Sequence, residues 1–204
     1  MTEPFITWSV GPFTISAQML FIFIAAAAGY GVMSLYLKKL HVENRGEILD
    51  TFLTSLIICA VIYKLWPFIL DPQLLISPGN LLYFAGGPYA VYVSAGVAVI
   101  YFFLQSIREK WSHHSLDSFM AAITTALIVF SLGVKNYGLP SPFSFGYMYE
   151  GVMYHAVNFY YSWLFLLVLL AALLLVPSSK KYARSITMLT GLVIAYGLAA
   201  PFQV

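Results

Sequence analysis

Residues 15–37 read ISAQMLFIFIAAAAGYGVMSLYL, and this stretch decides the fold. It carries no charge, and about 20 apolar residues in a helix suffice to cross a hydrocarbon layer roughly 30 Å thick. The run exceeds the apolar segment of a secretory signal, usually about 7–15 residues, and no basic segment precedes it. It therefore reads as a retained span, closed by Lys38 and Lys39. Working outward, five more apolar runs follow: Ile48–Trp66, Tyr89–Ile107, Leu116–Val134, Phe159–Val176 and Ser185–Pro201. The whole chain is 61% hydrophobic and 9% charged, with a mean hydropathy of +0.84, far from the roughly 25% charge of a soluble domain. The expectation is an all-α membrane protein with about six transmembrane helices, forming a single domain over residues 1–204, without repeat, low-complexity tract or linker.

Charge sets an orientation. Lys38, Lys39 and Arg45 follow the first run, Arg108 and Lys110 the third, and Lys180, Lys181 and Arg184 the fifth. Basic residues concentrated in alternate loops mark those loops as cytoplasmic. The N-terminus is then expected outside, in a multi-pass protein of a bacterial cell membrane. The other connections, 66–88 and 135–158, mix Gly and Pro with many aromatic residues. They read as aromatic-rich outer loops lying at the membrane interface.

Several function classes drop out. A net charge of +2 without an aromatic-interleaved basic stretch gives no nucleic-acid surface. A lone cysteine, Cys59, excludes an intrachain disulfide, a dithiol pair and a cysteine zinc site. No charged mid-membrane helix or repeat points to a transporter. No cofactor is expected.

Charged side chains at membrane depth cost about 2.5–3.5 kcal/mol on insertion scales, so they are functional candidates by default. Lys64 and Lys135 are the basic residues outside the cytoplasmic loops, each at the outer end of a span. Either the two ammonium groups converge on a lipid phosphate, or each snorkels separately to the headgroups. His155, five residues after Glu150, is either a general base whose tautomer Glu150 fixes, or a hydrogen-bonded interfacial histidine. Gly86 and Gly87 precede the third run and either present backbone N–H groups to an anion or make a tight turn before Pro88. No metal site is expected: His41 lies in the first cytoplasmic loop, and the adjacent His113 and His114 lack the i, i+3 or i+4 spacing of ligands on one helix face. Gly29, Gly31 and the Ala25–Ala28 run form a small-residue face suited to close helix packing.

The order of these features resembles the prolipoprotein diacylglyceryl transferase family over nearly the whole chain. Ser9-Val10-Gly11-Pro12 resembles that family's S-I-G-P opening, and Asp71-Pro72-Gln73-Leu74 with Leu81 to Gly87 is similar to its D-P-L-Y-L and W-x-G-G segments. Leu132-Gly133-Val134-Lys135-Asn136-Tyr137-Gly138 falls where the family has G-R-x-G-N-F, with Asn136 and Tyr137 in register and the basic character displaced onto Lys135, and His155-Ala156-Val157-Asn158-Phe159-Tyr160 resembles H-P-x-Q-L-Y. Tyr196-Gly197 matches the Y-G of the closing helix. The family histidine after the Gly-Gly pair is Val91 here, and the late arginine is Ala200. The resemblance implies a transferase moving the diacylglyceryl group of phosphatidylglycerol to the cysteine thiol of a prolipoprotein signal peptide at the outer leaflet. It implies His155 and Lys135 as catalytic groups, with Lys64, Asn136, Tyr137, Gly86, Gly87, Asn158 and Tyr160 binding substrate. The alternative is an inactive relative that binds lipid or lipoprotein, or scaffolds a membrane complex.

Overall fold

The computed structural model describes residues 3, 6–10, 13–77, 79, 80 and 84–203. Gly11, Pro12 and Pro78, and Leu81 to Tyr83 of the W-x-G-G-like stretch, lie outside the described residues. Six helices among the described residues are long and apolar enough to cross a membrane: α1 (Ala17–Lys39), α2 (Arg45–Leu70), α3 (Ala90–Arg108), α4 (His113–Gly133), α5 (Val157–Leu174) and α6 (Ala183–Ala199), the last continued by a 3-10 turn to Phe202. Phe23, Ile57, Leu104, Leu174 and Val193 are each at least 56% exposed, an arrangement that lipid tolerates and water does not. The chain is a multi-pass membrane protein.

The helices group into two compact units, a finer division than the single domain read from the sequence: residues 1–42 with 113–204, and residues 43–112. In the larger unit α1 packs along α4, and α4, α5 and α6 pack on one another. Ala25, Gly29, Met33 and Leu37 are buried at four-residue intervals, the stripe that one helix presents to another. At its centre, a Cβ on Gly29 would lie 2.8 Å from the backbone oxygen of Ala122. The small-residue face thus works through Gly29, whereas Gly31 meets nothing within 4 Å. Several hydroxyls inside the bundle bond within their own helices, as Thr124 does to the Met120 carbonyl and Ser162 to that of Asn158, both at 2.8 Å.

The smaller unit is α2 packed on α3, whose buried stripe is Ala90, Ser94, Ala98, Phe102 and Ser106. The apolar run expected to end at Trp66 continues as helix to Leu70, through Pro67. Proline has no N–H to give the carbonyl four residues back. Here that carbonyl, on Tyr63, accepts instead from the Gly86 N–H at 2.9 Å. The bond that proline removes is restored from the next segment, which is how a proline is tolerated at membrane depth.

The helices account for the all-α membrane class, and the N-terminal segment and the 135–158 connection add short strands. Strands β1 (Thr7–Val10) and β2 (Phe13–Ser16) pair antiparallel, and the 135–158 segment holds a three-stranded antiparallel sheet in the order β3 (Tyr137–Pro140), β5 (Val152–Ala156), β4 (Tyr147–Tyr149). Tyr149 pairs with Val152, leaving Glu150 and Gly151 as a two-residue turn with φ of 47° and 81°. Two consecutive positive φ values are the requirement of the tight hairpin turn that matches strand twist. Tyr147 stands opposite Tyr154, and the Tyr137 ring lies within about 6 Å of the rings of Tyr147, Tyr149 and Tyr154. Pro140 sits on an edge strand, where its missing donor is harmless.

Overpacking a close helix crossing costs roughly 1–3 kcal/mol. Gly29→Leu is accordingly expected to lower the thermal unfolding midpoint of the detergent-solubilised protein clearly, while Gly31→Leu leaves it almost unchanged; equal effects of the two would show that α1 does not meet α4 through Gly29.

Candidate anion and lipid site

α4 ends at Gly133, and the chain then passes through Val134, Lys135 and Asn136 into β3. Lys135 Nζ donates to Glu3 Oε1 at 2.7 Å, and the Tyr137 hydroxyl reaches both Glu3 oxygens, at 2.8 and 2.9 Å. One ammonium and one phenol thus converge on a single carboxylate. The ammonium also lies 5.2 Å from the centre of the Tyr147 ring, within cation–π reach. Hydrogen bonds from Lys135 first, and Tyr137 second, hold the Glu3 carboxyl below its ordinary pKa. Glu3 in turn raises the pKa of Lys135. Burial, followed by the Glu3 hydrogen bond, raises that of the Tyr137 phenol, and burial raises that of Tyr147.

Behind this pair Asn158, 2% exposed, organises the backbone. Its Oδ1 accepts from the Asn136 N–H at 3.3 Å and the Tyr147 hydroxyl at 3.0 Å, and its Nδ2 donates to the Ser131 carbonyl at 3.0 Å. A buried amide with both ends engaged has a fixed orientation. It pins the end of α4 to the start of α5 and so fixes where Lys135 emerges.

Lys135, Asn136 and Asn158 line one cavity of about 520 Å³ inside the larger unit, within the roughly 300–1,000 Å³ usual for small-molecule sites. Its remaining wall is largely apolar: Leu127 and Phe130 of α4, Val134, and Phe165 of α5, with Tyr161 and Tyr196 stacked at 5.9 Å. An apolar chamber with a cation and amides on its wall suits an amphiphile carrying an anionic head.

His155 is placed differently. Only 7% exposed, its ring packs 5.0 Å from Phe202 and its Nδ1 is 2.9 Å from the Tyr160 hydroxyl. Its hydrogen-bond partner is thus the Tyr160 phenol, whereas Glu150 occupies the hairpin turn at the far end of β5. The His155 and Tyr160 side chains pair with each other and do not line the cavity.

Lys64, Gly86 and Gly87 belong to the smaller unit. Lys64 is half-buried on α2. Gly86 and Gly87 have φ of 77° and 114°. The Gly86 N–H is taken up by Tyr63, and the Trp66 indole donates to the Pro88 carbonyl at 2.7 Å. The Gly-Gly pair therefore acts as a fold-back onto the end of α2.

Glu3, Ser131 and the hydroxyl of Tyr147 join the site without a signal in the sequence. Glu3 meets Lys135 across 132 positions, and no spacing rule covers such a pair. At the other end of α4, His113, His114 and Asp117 place possible ligand atoms within 4.8 Å of one another. The two histidines lack suitable spacing alone, but Asp117 is i+4 from one and i+3 from the other. No protein-family model matches the chain, and no curated protein matches it.

The Glu3–Lys135 pair has a defined pH window. Its contribution is complete above the ordinary Glu value of 4.5 and below the ordinary Lys value of 10.5. It is lost as pH falls through the lowered Glu3 pKa or rises through the raised Lys135 pKa. The fluorine NMR signal of 5-fluorotryptophan at Trp8 in β1 should stay constant across neutral pH and change only on strong acidification, with the acid transition abolished by Glu3→Gln. A transition near neutral pH would contradict the pairing.

Proposed function

We propose that this chain is a divergent relative of the diacylglyceryl transferases that binds an anionic phospholipid of the phosphatidylglycerol type at the outer leaflet, head at Lys135 and acyl segment in the adjoining cavity. The observation carrying this reading is that Lys135 and Tyr137 converge on one carboxylate beside an apolar chamber. A carboxylate and a phosphate present similar acceptor oxygens, so Glu3 occupies the place a lipid anion would take. In this reading the face bearing Lys38, Lys39, Lys180 and Lys181 is cytoplasmic, which puts the cavity mouth and the N-terminus outside.

Binding has firmer support than transfer. Transfer to a prolipoprotein thiol needs a base at the thiol and a cation at the leaving glycerol phosphate. Lys135 lines the cavity and suits the second role, but His155 faces Tyr160 and Phe202 instead. Lysine also lacks the bidentate fork of the family's arginine. The partner is accordingly phospholipid first, and a lipoprotein signal peptide only if transfer is detected.

A charge-assisted hydrogen bond contributes about 1.5–3 kcal/mol. Lys135→Ala is therefore expected to weaken binding of short-chain phosphatidylglycerol at least about tenfold, measured by native mass spectrometry with phosphatidylcholine as the neutral-head comparison. Glu3→Gln should strengthen it. Equal binding of both lipids, unaffected by Lys135→Ala, would overturn the assignment. Label passing from phosphatidylglycerol to a lipobox peptide would replace the binding role with the transferase one.

A further inference from the structure

Asp117 is fully buried at the start of α4. Its Oδ1 accepts from the backbone N–H of Ser185 at 3.0 Å and from the Ser185 hydroxyl, while its Oδ2 is buried with no hydrogen-bond partner among the described residues. Asp117 makes no ion pair among those residues; Arg184, the adjacent cation, directs its guanidinium to the Leu173 and Val176 carbonyls and the Tyr36 hydroxyl. A buried carboxylate with one oxygen left unpartnered is costly, and a cation would answer it. Next to it, Nδ1 of His114 is also buried and unpartnered. The His113 ring stands 4.0 Å from that of His114, with its Nε2 at 3.1 Å from the Ser178 carbonyl. A carbonyl only accepts, so Nε2 carries the proton and Nδ1 of His113 keeps a free lone pair.

Possible ligand atoms of His113, His114 and Asp117 thus lie within 4.8 Å of one another, and two of these residues keep a buried atom, Nδ1 of His114 and Oδ2 of Asp117, without a hydrogen-bond partner among the described residues. We propose that His113, His114 and Asp117 bind one divalent transition-metal ion of the Zn²⁺ class, with water completing the shell. Two imidazoles and a carboxylate are a usual nitrogen and oxygen donor set for such ions, whereas Mg²⁺ and Ca²⁺ take oxygen ligands almost exclusively. The outer contacts also fit. A metal-bound histidine ordinarily donates its second N–H to a carbonyl, and a ligating carboxylate is ordinarily held by hydrogen bonds; Ser178 and Ser185 fill those places. Ser178 precedes α6 and Ser185 lies in its first turn, so the ion would tie the start of α4 to the start of α6. The site lies about 30 Å from the anion clamp along α4 and does not depend on the lipid-binding reading.

The test uses the full chain with a non-histidine affinity tag, purified in detergent and stripped with EDTA. Titration with Co²⁺ alone should develop visible ligand-field bands saturating at one ion per chain, and Zn²⁺ should displace them. Zn²⁺ should also raise the thermal midpoint. His113→Ala with His114→Ala should weaken binding at least about tenfold and abolish the thermal shift, while His41→Ala leaves both intact. Ser185→Ala tests the Asp117 contact and should weaken binding without removing it. The metal-free double-histidine variant should melt near the metal-free parent, showing that it folds. A folded parent that takes up no ion would overturn the proposal; binding that survives the double substitution would overturn it as well.

Discussion

A polar group inside a hydrocarbon layer has no water to bond with, so every donor and acceptor there must be answered by another part of the chain. This constraint explains most of the polar detail of the protein. Pro67 leaves the Tyr63 carbonyl without its helical donor, and Gly86 supplies one. Ser162, Thr124 and Thr125 return their hydroxyl protons to their own helices. Arg184 divides its protons between two carbonyls near the end of α5 and a phenol. Asn158 uses both ends of its amide to join α4 to α5.

Against that background the places where polar groups gather become informative. Lys135 and Tyr137 need an anion, and within the chain it is Glu3 that answers. Both side chains of the ion pair remain partly exposed, at 27% and 41%, so the pair can exchange its carboxylate for another anion without a large desolvation step. Next to it lies the apolar cavity. In the reading proposed above, the Glu3 latch and the apolar chamber are complementary halves of amphiphile recognition. Asp117 and His114, at the other end of α4, are the opposite case: they keep unanswered atoms in a buried place.

The spans were legible because hydropathy acts over long windows and tolerates local error. Each of the six runs became a helix, and the largest boundary change, at the end of α2, traces to a Pro67 whose lost bond is repaired from 23 residues away. The 135–158 segment was legible as aromatic but not as a sheet. The Tyr147–Tyr149 and Val152–Ala156 strands are too short for a clear alternation, and the turn uses Glu150, a residue with no special liking for positive φ. Of the site, Lys135 could be found from position and charge, and Asn136 and Asn158 through the family resemblance; all three line the cavity. Glu3 could not, because its partner is set by tertiary folding alone. Asp117 is hidden inside an apolar run, although it stands i+4 from His113 and i+3 from His114.

The central claim is that Lys135 and Tyr137 are an anion receptor that a lipid head can enter in place of Glu3. Its most direct test is a high-resolution structure of the protein in nanodiscs rich in phosphatidylglycerol. The account predicts phosphate density within hydrogen-bond distance of Lys135 Nζ and the Tyr137 hydroxyl, acyl density between Phe130 and Phe165, and Glu3 swung away. Glu3 still seated on Lys135 under saturating lipid, with no density in the cavity, would contradict it.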